Sequence, residues 1–323
     1  MPNFLNEVID TERAKPRTSG VTMVLDRLGY STGDTMDLVG SYADVVKIGW
    51  GLPFLLDPHI LKSRVSTYKK SRIHVSNGGT LLEFCVSKGK HELALRRLQS
   101  LGFDTIELSE GVLEVPQHVK KEIVDFAHSN KLRLHVEVGR KNPRNQLSLE
   151  ETISRTEQSF DYKPETLIIE GRESGRSVGI YDDAGQIKWD WVDRLEQVSQ
   201  PQKLMFEAPQ EIQQTELIIH LGSMINLGNV GLPSLAALET QRQGLRGDTF
   251  GASTGSKKVK GGPATKFLYF VISTHGALDQ SRLMRLTGLN RRTVQDCLKK
   301  LLRQGAVRES VDPNDLRKRI YSL

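Results

Sequence analysis

The fold is decided by the stretch Leu167-Ile168-Ile169-Glu170-Gly171-Arg172-Glu173-Ser174-Gly175, in which an apolar run ends abruptly in charged side chains and glycine. A continuous apolar run is typical of a β-strand that is buried on both faces, as in a parallel sheet. Charged side chains directly after such a strand are typical of a site at the carboxyl ends of the strands. The stretch therefore predicts an α/β fold whose strand ends carry the chemistry.

The same arrangement recurs along most of the chain, where apolar runs alternate with segments of helical periodicity. The predicted strands are Val21–Asp26, Asp44–Ile48, Ile73–Val75, Thr105–Leu108, Leu132–Val138, Thr166–Glu170, Lys203–Glu207 and Met224–Leu227. Eight strands that alternate with helices over about 230 residues predict a (β/α)8 TIM barrel. A doubly wound sheet is the alternative, although no GxGxxG motif of dinucleotide binding follows the first strand.

The composition is that of an ordinary globular protein, with 37% hydrophobic and 26% charged residues. No apolar run reaches the ~18 residues that a membrane helix needs, and the N-terminus lacks the layout of a signal peptide. Cys85 and Cys297 lie far apart and are expected to be buried thiols rather than a disulfide, as in a reducing cytoplasm. We therefore expect a cytoplasmic protein without a membrane partner.

Charge divides the chain into two parts. The segment from Lys257 to Leu323 contains 15 Lys and Arg against 5 Asp and Glu, whereas the preceding residues contain 30 and 34. We predict a barrel domain at 1–251, a Gly/Ser/Lys-rich linker at 252–262 and a basic C-terminal domain at 263–323. A basic domain favours a polyanionic partner, most often nucleic acid, although it could also be a solubilising appendage.

The C-terminal domain has the pattern of a winged helix-turn-helix. Helices are predicted at Thr265–Ser273, Gln280–Leu286 and Arg291–Gln304, followed by two strands that form a wing. The residues expected to contact double-stranded DNA start the third helix or lie on the wing: Arg291, Arg292, Thr293, Gln295, Arg317, Lys318 and Arg319. A winged helix used for protein interaction or dimerisation is the alternative.

Ionisable side chains lie at or near most of the predicted strand ends. If the barrel is correct, one rim collects Asp26, Lys47, Glu107, Glu137, Glu170, Glu207 and Asn226, with Lys141, Arg172 and Glu173 in the adjoining loops. Crowded carboxylates raise one another's pKa unless cations or a divalent metal neutralise them. Oxygen ligands without a His/Cys cluster favour Mg²⁺ over zinc. Alternatively, the acids and Lys47 form structural ion pairs inside a packed barrel.

A rim with Mg²⁺, two lysines and an arginine suits a small, multiply charged anion such as a phosphorylated carboxylic acid. The run Gly228–Gly231 follows the eighth predicted strand, where many barrels bind phosphate on backbone N–H groups. The residues expected to bind substrate are Asp26, Asn226, Gly228 and Asn229.

Seven motifs, in order from about Lys15 to Phe250, resemble the phosphosulfolactate synthase family. They are Lys47–Gly51, Gly78–Thr80, Glu137–Lys141, Glu170–Gly175, Phe206–Pro209 with Gln213 and Gln214, Asn226–Val230 and Gly244–Phe250. The resemblance implies a magnesium-dependent barrel enzyme, a carbon–sulfur lyase that adds sulfite to phosphoenolpyruvate and gives 2-phospho-3-sulfolactate. In methanogens this reaction begins one route to coenzyme M.

The resemblance also implies roles for residues on the rim. Glu137, Glu170 and Glu207 are expected to hold Mg²⁺, while Lys47, Lys141 and Arg172 are expected to be catalytic. Lys47 is the first choice for the proton donor, with Lys141 and Arg172 binding the anions. We expect a homo-oligomer. The alternative is a transcriptional regulator whose barrel senses a phosphorylated or sulfonated small molecule without turnover.

Overall fold

The computed structural model describes residues 13, 15–28, 32–250, 259, 261–304, 306–312 and 315–322. The side chains of residues 32, 273, 274, 312 and 315–317 lie outside this description. The predicted linker, 252–262, lies outside the described residues except at positions 259, 261 and 262.

Eight parallel strands hydrogen-bond in chain order and close into a barrel. They are β1 (Thr22–Asp26), β2 (Val45–Ile48), β3 (His74–Ser76), β4 (Thr105–Ser109), β5 (Arg133–Val138), β6 (Thr166–Ile169), β7 (Leu204–Glu207) and β8 (Asn226–Gly231). The helices between and after them are α1 (Thr32–Val39), α2 (Pro58–Lys70), α3 (Gly79–Ser87), α4 (His91–Ser100), α5 (Gln117–Ser129), α6 (Leu149–Ser159), α7 (Trp189–Leu195), α8 (Glu211–Leu221) and α9 (Leu235–Arg242). The predicted (β/α)8 barrel is confirmed, and a doubly wound sheet is excluded because the sheet closes on itself.

Parallel pairing brings the carboxyl ends of the strands to one face of the barrel. Ser109 pairs with Glu137, and Glu207 pairs with Gly228. Alternate residues of a strand point to the same side. An apolar layer therefore fills the barrel below the charged strand ends, and it consists of Met23, Val45, Ile168 and Met205.

A larger hydrophobic core lies between the barrel and its helices. Helix α5 illustrates how the sequence builds this core, because its apolar residues recur at helical spacing on one face. Val119, Ile123 and Ala127 are buried there, while Lys121, Glu122 and Asp125 are exposed. The helices thus bury the outer faces of the strands and leave the strand ends to form the two mouths of the barrel.

Asn226 lies at the opposite mouth from the one that the sequence predicted. The strand was expected at Met224–Leu227, with Asn226 near its end, but β8 begins at Asn226. The Asn226 amide donates to the Leu204 carbonyl at 2.9 Å and accepts from the Val21 N–H at 3.0 Å. These bonds join the amino ends of three strands, so the predicted contact of Asn226 with substrate is corrected to a structural role.

Gly228 lies within β8 and not in a phosphate-binding loop, which corrects a second prediction. A Cβ atom at this position would lie 2.9 Å from Cε of Met23 and 3.2 Å from Sδ of Met205. The glycine therefore allows two methionines to pack inside the barrel. Glycines are rare in strands, which is why the sequence pattern placed the end of the strand before Gly228.

The C-terminal part of the chain has a hydrophobic core of its own. Its elements are α10 (Pro263–His275), β9 (Leu278–Asp279), α11 (Gln280–Thr287), α12 (Arg291–Arg303), β10 (Arg308–Asp312) and β11 (Asp315–Ser322). The strands form an antiparallel sheet in the order β10-β11-β9. The core consists mainly of Leu268, Ile272, Leu283, Val294, Leu298 and Leu301. The three helices and the two hairpin strands lie where the sequence predicted them, within a few residues at each end.

Cys85 and Cys297 are buried free thiols, as predicted. Cys85 belongs to the core around the barrel and Cys297 to the C-terminal core. Across the described part of the chain, no helix is both long enough and apolar enough to cross a membrane.

We predict that Ile168→Ala lowers the free energy of unfolding by about 2–5 kcal/mol, because it opens a cavity inside the barrel. Ile219→Ala is the matched control, since Ile219 is 50% exposed on α8. The control should change the free energy by less than about 0.5 kcal/mol. Denaturant unfolding of both variants tests this, and equal losses would contradict the assignment of Ile168 to the barrel interior.

Candidate active site

Lys47, on β2, is surrounded by carboxylates at the carboxyl mouth of the barrel. Its ammonium nitrogen lies 2.9 Å from Glu207 Oε1, 3.0 Å from Glu107 Oε1 and 3.3 Å from Glu137 Oε2. The Lys47 side chain is 6% exposed, and those of the three glutamates are no more than 2% exposed. Strands β2, β4, β5 and β7 thus each contribute one side chain to one buried group of ion pairs around Lys47.

Lys141 makes a second set of contacts beside the first. Its ammonium nitrogen lies 2.5 Å from Glu137 Oε1 and 2.6 Å from Glu170 Oε2. Glu137 therefore bridges the two lysines, one with each of its oxygens. We call the whole set the lysine–glutamate cluster, and its members are Lys47, Lys141, Glu107, Glu137, Glu170 and Glu207.

Backbone N–H groups fix three of the glutamates. Gly171 donates to Glu207 Oε2 at 3.0 Å, and Arg172 donates to Glu170 Oε1 at 2.8 Å. At the start of α3, the Gly79 N–H donates to Glu107 Oε1 at 2.7 Å. Hydrogen bonds of this kind favour the ionised carboxylate and hold its orientation.

The cluster contains four carboxylates and two ammonium groups, so it carries two excess negative charges when all six are ionised. Burial and the neighbouring Glu137 carboxylate raise the pKa of Glu170 well above its ordinary value. Burial raises the pKa of Glu107 to about 7, against the opposing effect of Lys47. Raised pKa values of this kind are expected where buried carboxylates outnumber the cations that neutralise them.

The lysines respond in the opposite sense. Burial by itself would lower the pKa of Lys47, but Glu107, Glu207 and Glu137 outweigh it and hold that pKa well above its ordinary value. The pKa of Lys141 is raised in the same way, because Glu137 and Glu170 outweigh the effect of burial. Both side chains are therefore ammonium ions at neutral pH.

Three members of the cluster could hold a metal ion. One carboxylate oxygen from each of Glu137, Glu170 and Glu207 lies within 4.8 Å of the other two. The two excess negative charges of the fully ionised cluster fit a divalent cation, since such a cation would neutralise them. The donor set consists of oxygen atoms, which is the set that hard cations prefer.

Arg172 and Asn229 lie together at the same mouth in left-handed backbone conformations, with φ angles of 57° and 53°. The Asn229 side-chain amide donates to the Arg172 carbonyl at 3.3 Å. Its other atom, Oδ1, is buried and has no hydrogen-bond partner among the described residues. Strained backbone and an unpaired buried acceptor both cost stability, and they are concentrated at functional sites.

Asp26 lies at the end of β1 but its oxygens are already occupied. Arg64 binds both of them, at 2.5 Å and 2.7 Å, and the Tyr68 hydroxyl donates to Asp26 Oδ2 at 2.6 Å. The Leu28 N–H donates to Oδ1 at 2.8 Å. These contacts tie α2 to the end of β1, so Asp26 is engaged in a local network rather than facing the lysine–glutamate cluster.

Two contributions to the site were missed by sequence reasoning. Glu107 was recognised at a strand end but received no role, although it is in direct contact with Lys47. Tyr181 donates its hydroxyl hydrogen to the Glu207 carbonyl at 2.6 Å and is buried. The inward alternation of β4 could have identified Glu107, whereas nothing in the irregular segment after β6 pointed to Tyr181.

The residues expected to contact DNA belong to α12 and to β11 of the C-terminal part of the chain. Arg291 and Arg292 are exposed in the first turn of α12, which Asn290 caps by accepting from the Thr293 N–H at 2.9 Å. Thr293 and Gln295 are half-buried on the same helix, and Lys318 and Arg319 are exposed on β11. The side chain of Arg317 lies outside the described residues.

A closed parallel barrel with an ionisable cluster at the carboxyl ends of its strands has the organisation of a TIM-barrel enzyme. The family model described as (2R)-phospho-3-sulfolactate synthase (ComA) matches residues 10–248. The chain is 38% identical to phosphosulfolactate synthase of Methanocaldococcus jannaschii, over 72% of this chain and 94% of that protein.

Two further relatives agree with this match. Phosphosulfolactate synthase of Methanothermobacter thermautotrophicus is 35% identical, over 73% of this chain and 93% of that protein. The enzyme of the same name from Bacillus subtilis is 34% identical, over 73% of this chain and 94% of that protein. The chain therefore belongs to the phosphosulfolactate synthase family and is an enzyme of that family. The C-terminal residues from 249 onward lie beyond the family match.

We predict that Lys47→Met lowers the free energy of unfolding by about 3–5 kcal/mol, because it leaves buried carboxylates without their cation. Lys121→Met is the matched control, since Lys121 is exposed on α5 and should change the value by less than about 0.5 kcal/mol. Urea unfolding at neutral pH in the presence of a chelator measures both. A Lys47 variant as stable as the control would refute the contacts described for this lysine.

Proposed function

We propose that the barrel catalyses the magnesium-dependent addition of sulfite to phosphoenolpyruvate, giving 2-phospho-3-sulfolactate. The strongest support is the charge of the barrel mouth in this member of the phosphosulfolactate synthase family. Four carboxylates meet there with only two ammonium groups to balance them. A divalent cation would neutralise the excess and let an anionic substrate approach.

Glu137, Glu170 and Glu207 are the residues that would hold Mg²⁺, because their oxygens converge and no sulfur or imidazole ligand accompanies them in the described cluster. When bound, the ion supplies positive charge that stabilises the electrons moving into the substrate carboxylate. Glu107 then stays with Lys47, and the Gly79 N–H keeps it in place.

The proposed reaction forms one carbon–sulfur bond and one carbon–hydrogen bond. The lone pair on the sulfur of sulfite bonds to C3 of phosphoenolpyruvate, and the C2=C3 π electrons move into the carboxylate to give an enediolate. A proton then bonds to C2, and the phosphate ester stays intact. The enzyme must therefore bind two anions, stabilise the enediolate and deliver one proton.

Lys141 is the better candidate for the proton donor, although the sequence alone favoured Lys47. The side chain of Lys141 is 25% exposed at the mouth, whereas that of Lys47 is 6% exposed and enclosed by three carboxylates. Lys47 instead holds Glu107, Glu137 and Glu207 in place. Arg172 would bind an anionic group of the substrate. The unpaired Oδ1 of Asn229 would accept from a bound water or from a protonated oxygen of phosphate or sulfite.

We predict that the full-length protein forms phosphosulfolactate from sulfite and phosphoenolpyruvate with Mg²⁺, and that a chelator abolishes the reaction. Glu170→Gln and Lys141→Met should each lower kcat by about 100-fold or more, because each removes a charge used in the transition state. Product formation, followed by phosphorus NMR, measures both effects.

Glu165→Gln is the matched control for this experiment, because Glu165 precedes β6 at the other end of the barrel and pairs with Arg133. Its kcat should stay within about twofold of the wild-type value, as expected for a surface substitution. Binding of phosphoenolpyruvate or phosphosulfolactate without any turnover would contradict the proposed activity and support the alternative, a barrel that only senses its ligand.

We also infer that the C-terminal unit is a winged helix-turn-helix that binds double-stranded DNA. Three features support this. The unit is strongly basic, its third helix presents Arg291 and Arg292 at an exposed N-terminal turn, and its hairpin presents Lys318 and Arg319. A recognition helix reads base edges from its N-terminal residues, and a basic hairpin contacts phosphates.

We predict that the full-length protein binds duplex DNA with an affinity that falls steeply as salt increases. Removing two phosphate contacts with Lys318→Gln and Arg319→Gln should reduce the slope of log K against log salt by about 2. Lys121→Gln combined with Lys131→Gln, two exposed lysines of the barrel domain, is the control. Fluorescence anisotropy measures the slopes, and an affinity that does not depend on salt would rule out this mode of binding.

A further inference from the structure

Glu83, one turn into α3, is a buried carboxylate that contacts neither lysine of the lysine–glutamate cluster in the described structure. Its side chain is directed at the loop that follows β4, and the residue is 3% exposed. Oε1 accepts from the Ser109 hydroxyl and from the Gly111 N–H, the latter at 3.2 Å. Oε2 accepts from the N–H groups of Val112 and Leu113, both at 2.7 Å.

These contacts require a carboxylate. Four donors converge on the two oxygens of Glu83, and none of them can accept in return except the Ser109 hydroxyl. A glutamine has one acceptor oxygen, and its NH₂ group would face backbone N–H donors. The two oxygens of Glu83 therefore fix the loop that follows β4.

The loop that Glu83 fixes is in direct contact with Lys141. The Gly111 carbonyl accepts from the Lys141 N–H at 2.8 Å. A Cβ atom at Gly111 would lie 2.9 Å from Cγ and 3.1 Å from Nζ of Lys141, so the backbone of Gly111 lies against the whole length of the lysine stem. Gly111 is thus held on one side by Glu83 and supports Lys141 on the other.

We propose that Glu83 is a positioning residue for the reaction, which acts through Gly111 to hold the ammonium group of Lys141 between Glu137 and Glu170. The same helix serves the other lysine as well, because the Gly79 N–H at its start binds Glu107. Helix α3 therefore aligns both halves of the lysine–glutamate cluster from outside. The effect of Glu83 on turnover rests on the proposed function of Lys141, whereas its effect on the position of Lys141 does not.

The test compares Glu83→Gln with Glu110→Gln in the full-length protein. Glu110 belongs to the same loop but binds Val115 and Lys120 instead of the Gly111 segment, so it is a matched control. Glu83→Gln should lower kcat for phosphosulfolactate formation by about 10- to 100-fold with little change in KM, because it misplaces a group that acts in the transition state. Glu110→Gln should keep kcat within about threefold of the wild-type value.

A second readout does not depend on turnover. In both variants, the rate at which acetic anhydride labels Lys141 is measured by peptide mass spectrometry, with Lys121 as the internal reference. Loss of the loop contact should raise the labelling rate of Lys141 several-fold in Glu83→Gln and leave it unchanged in Glu110→Gln. If Glu83→Gln raises the labelling rate of Lys141 while neither the wild-type protein nor a variant forms phosphosulfolactate, that result would support the positioning role and contradict the proposed reaction.

Gly111→Ala provides an independent test if Glu83→Gln folds poorly. The added methyl group pushes directly on the Lys141 stem and should reduce kcat in the same way, with the same change in labelling. Because both substitutions act through one contact, the loss of kcat in the double variant should be smaller than the product of the two single losses. Unchanged labelling of Lys141 in folded Glu83→Gln, or fully multiplicative losses in the double variant, would overturn the proposal.

Discussion

The structure depends on the balance of charge at the carboxyl mouth of the barrel, where two ammonium groups meet four buried carboxylates and only Lys141 is partly exposed. A lone buried charge costs several kcal/mol, so neither lysine would be stable there without the glutamates, and the glutamates would be less stable without the lysines. Glu137 links the two halves by giving one oxygen to each lysine. When all six groups are ionised, two negative charges remain unbalanced, and this excess fits the site that could hold a metal ion at Glu137, Glu170 and Glu207.

The barrel makes such a cluster possible because its strands are parallel and closed. Strands β2, β4, β5 and β7 each contribute one side chain to the contacts of Lys47. Below them lies the buried apolar layer of Met23, Val45, Ile168 and Met205. The supporting contacts come from outside the barrel interior: from the N-terminus of α3, from the loop after β4 and from the segment after β6. Backbone N–H groups supply most of these contacts, so the positions of the glutamates are built into the main chain.

The sequence was sufficient for the barrel, for its eight strands and for the convergence of Glu137, Glu170, Glu207 and Lys47, because alternating apolar runs and charged strand ends are local signals. It was not sufficient for Asn226 and Gly228, whose positions depend on where β8 begins. The glycine-containing strand has little intrinsic β propensity, and only pairing with its neighbours defines it. Contacts between distant segments, such as Glu83 with the loop after β4 and Tyr181 with Glu207, left no periodic signal to detect.

The contacts of the lysine–glutamate cluster require the folded barrel, because its members come from several strands of the barrel. Lys47, Glu107, Glu137 and Glu207 come from four strands whose positions in the chain span about half of its length, and no two of them are neighbours in sequence. Apart from the local pair of Glu137 and Lys141, the contacts of the cluster join distant parts of the chain. The full set of contacts to Lys47 therefore forms only when all four strands have docked. The complete cluster is thus a property of the closed barrel, and no single strand with its helix contains it.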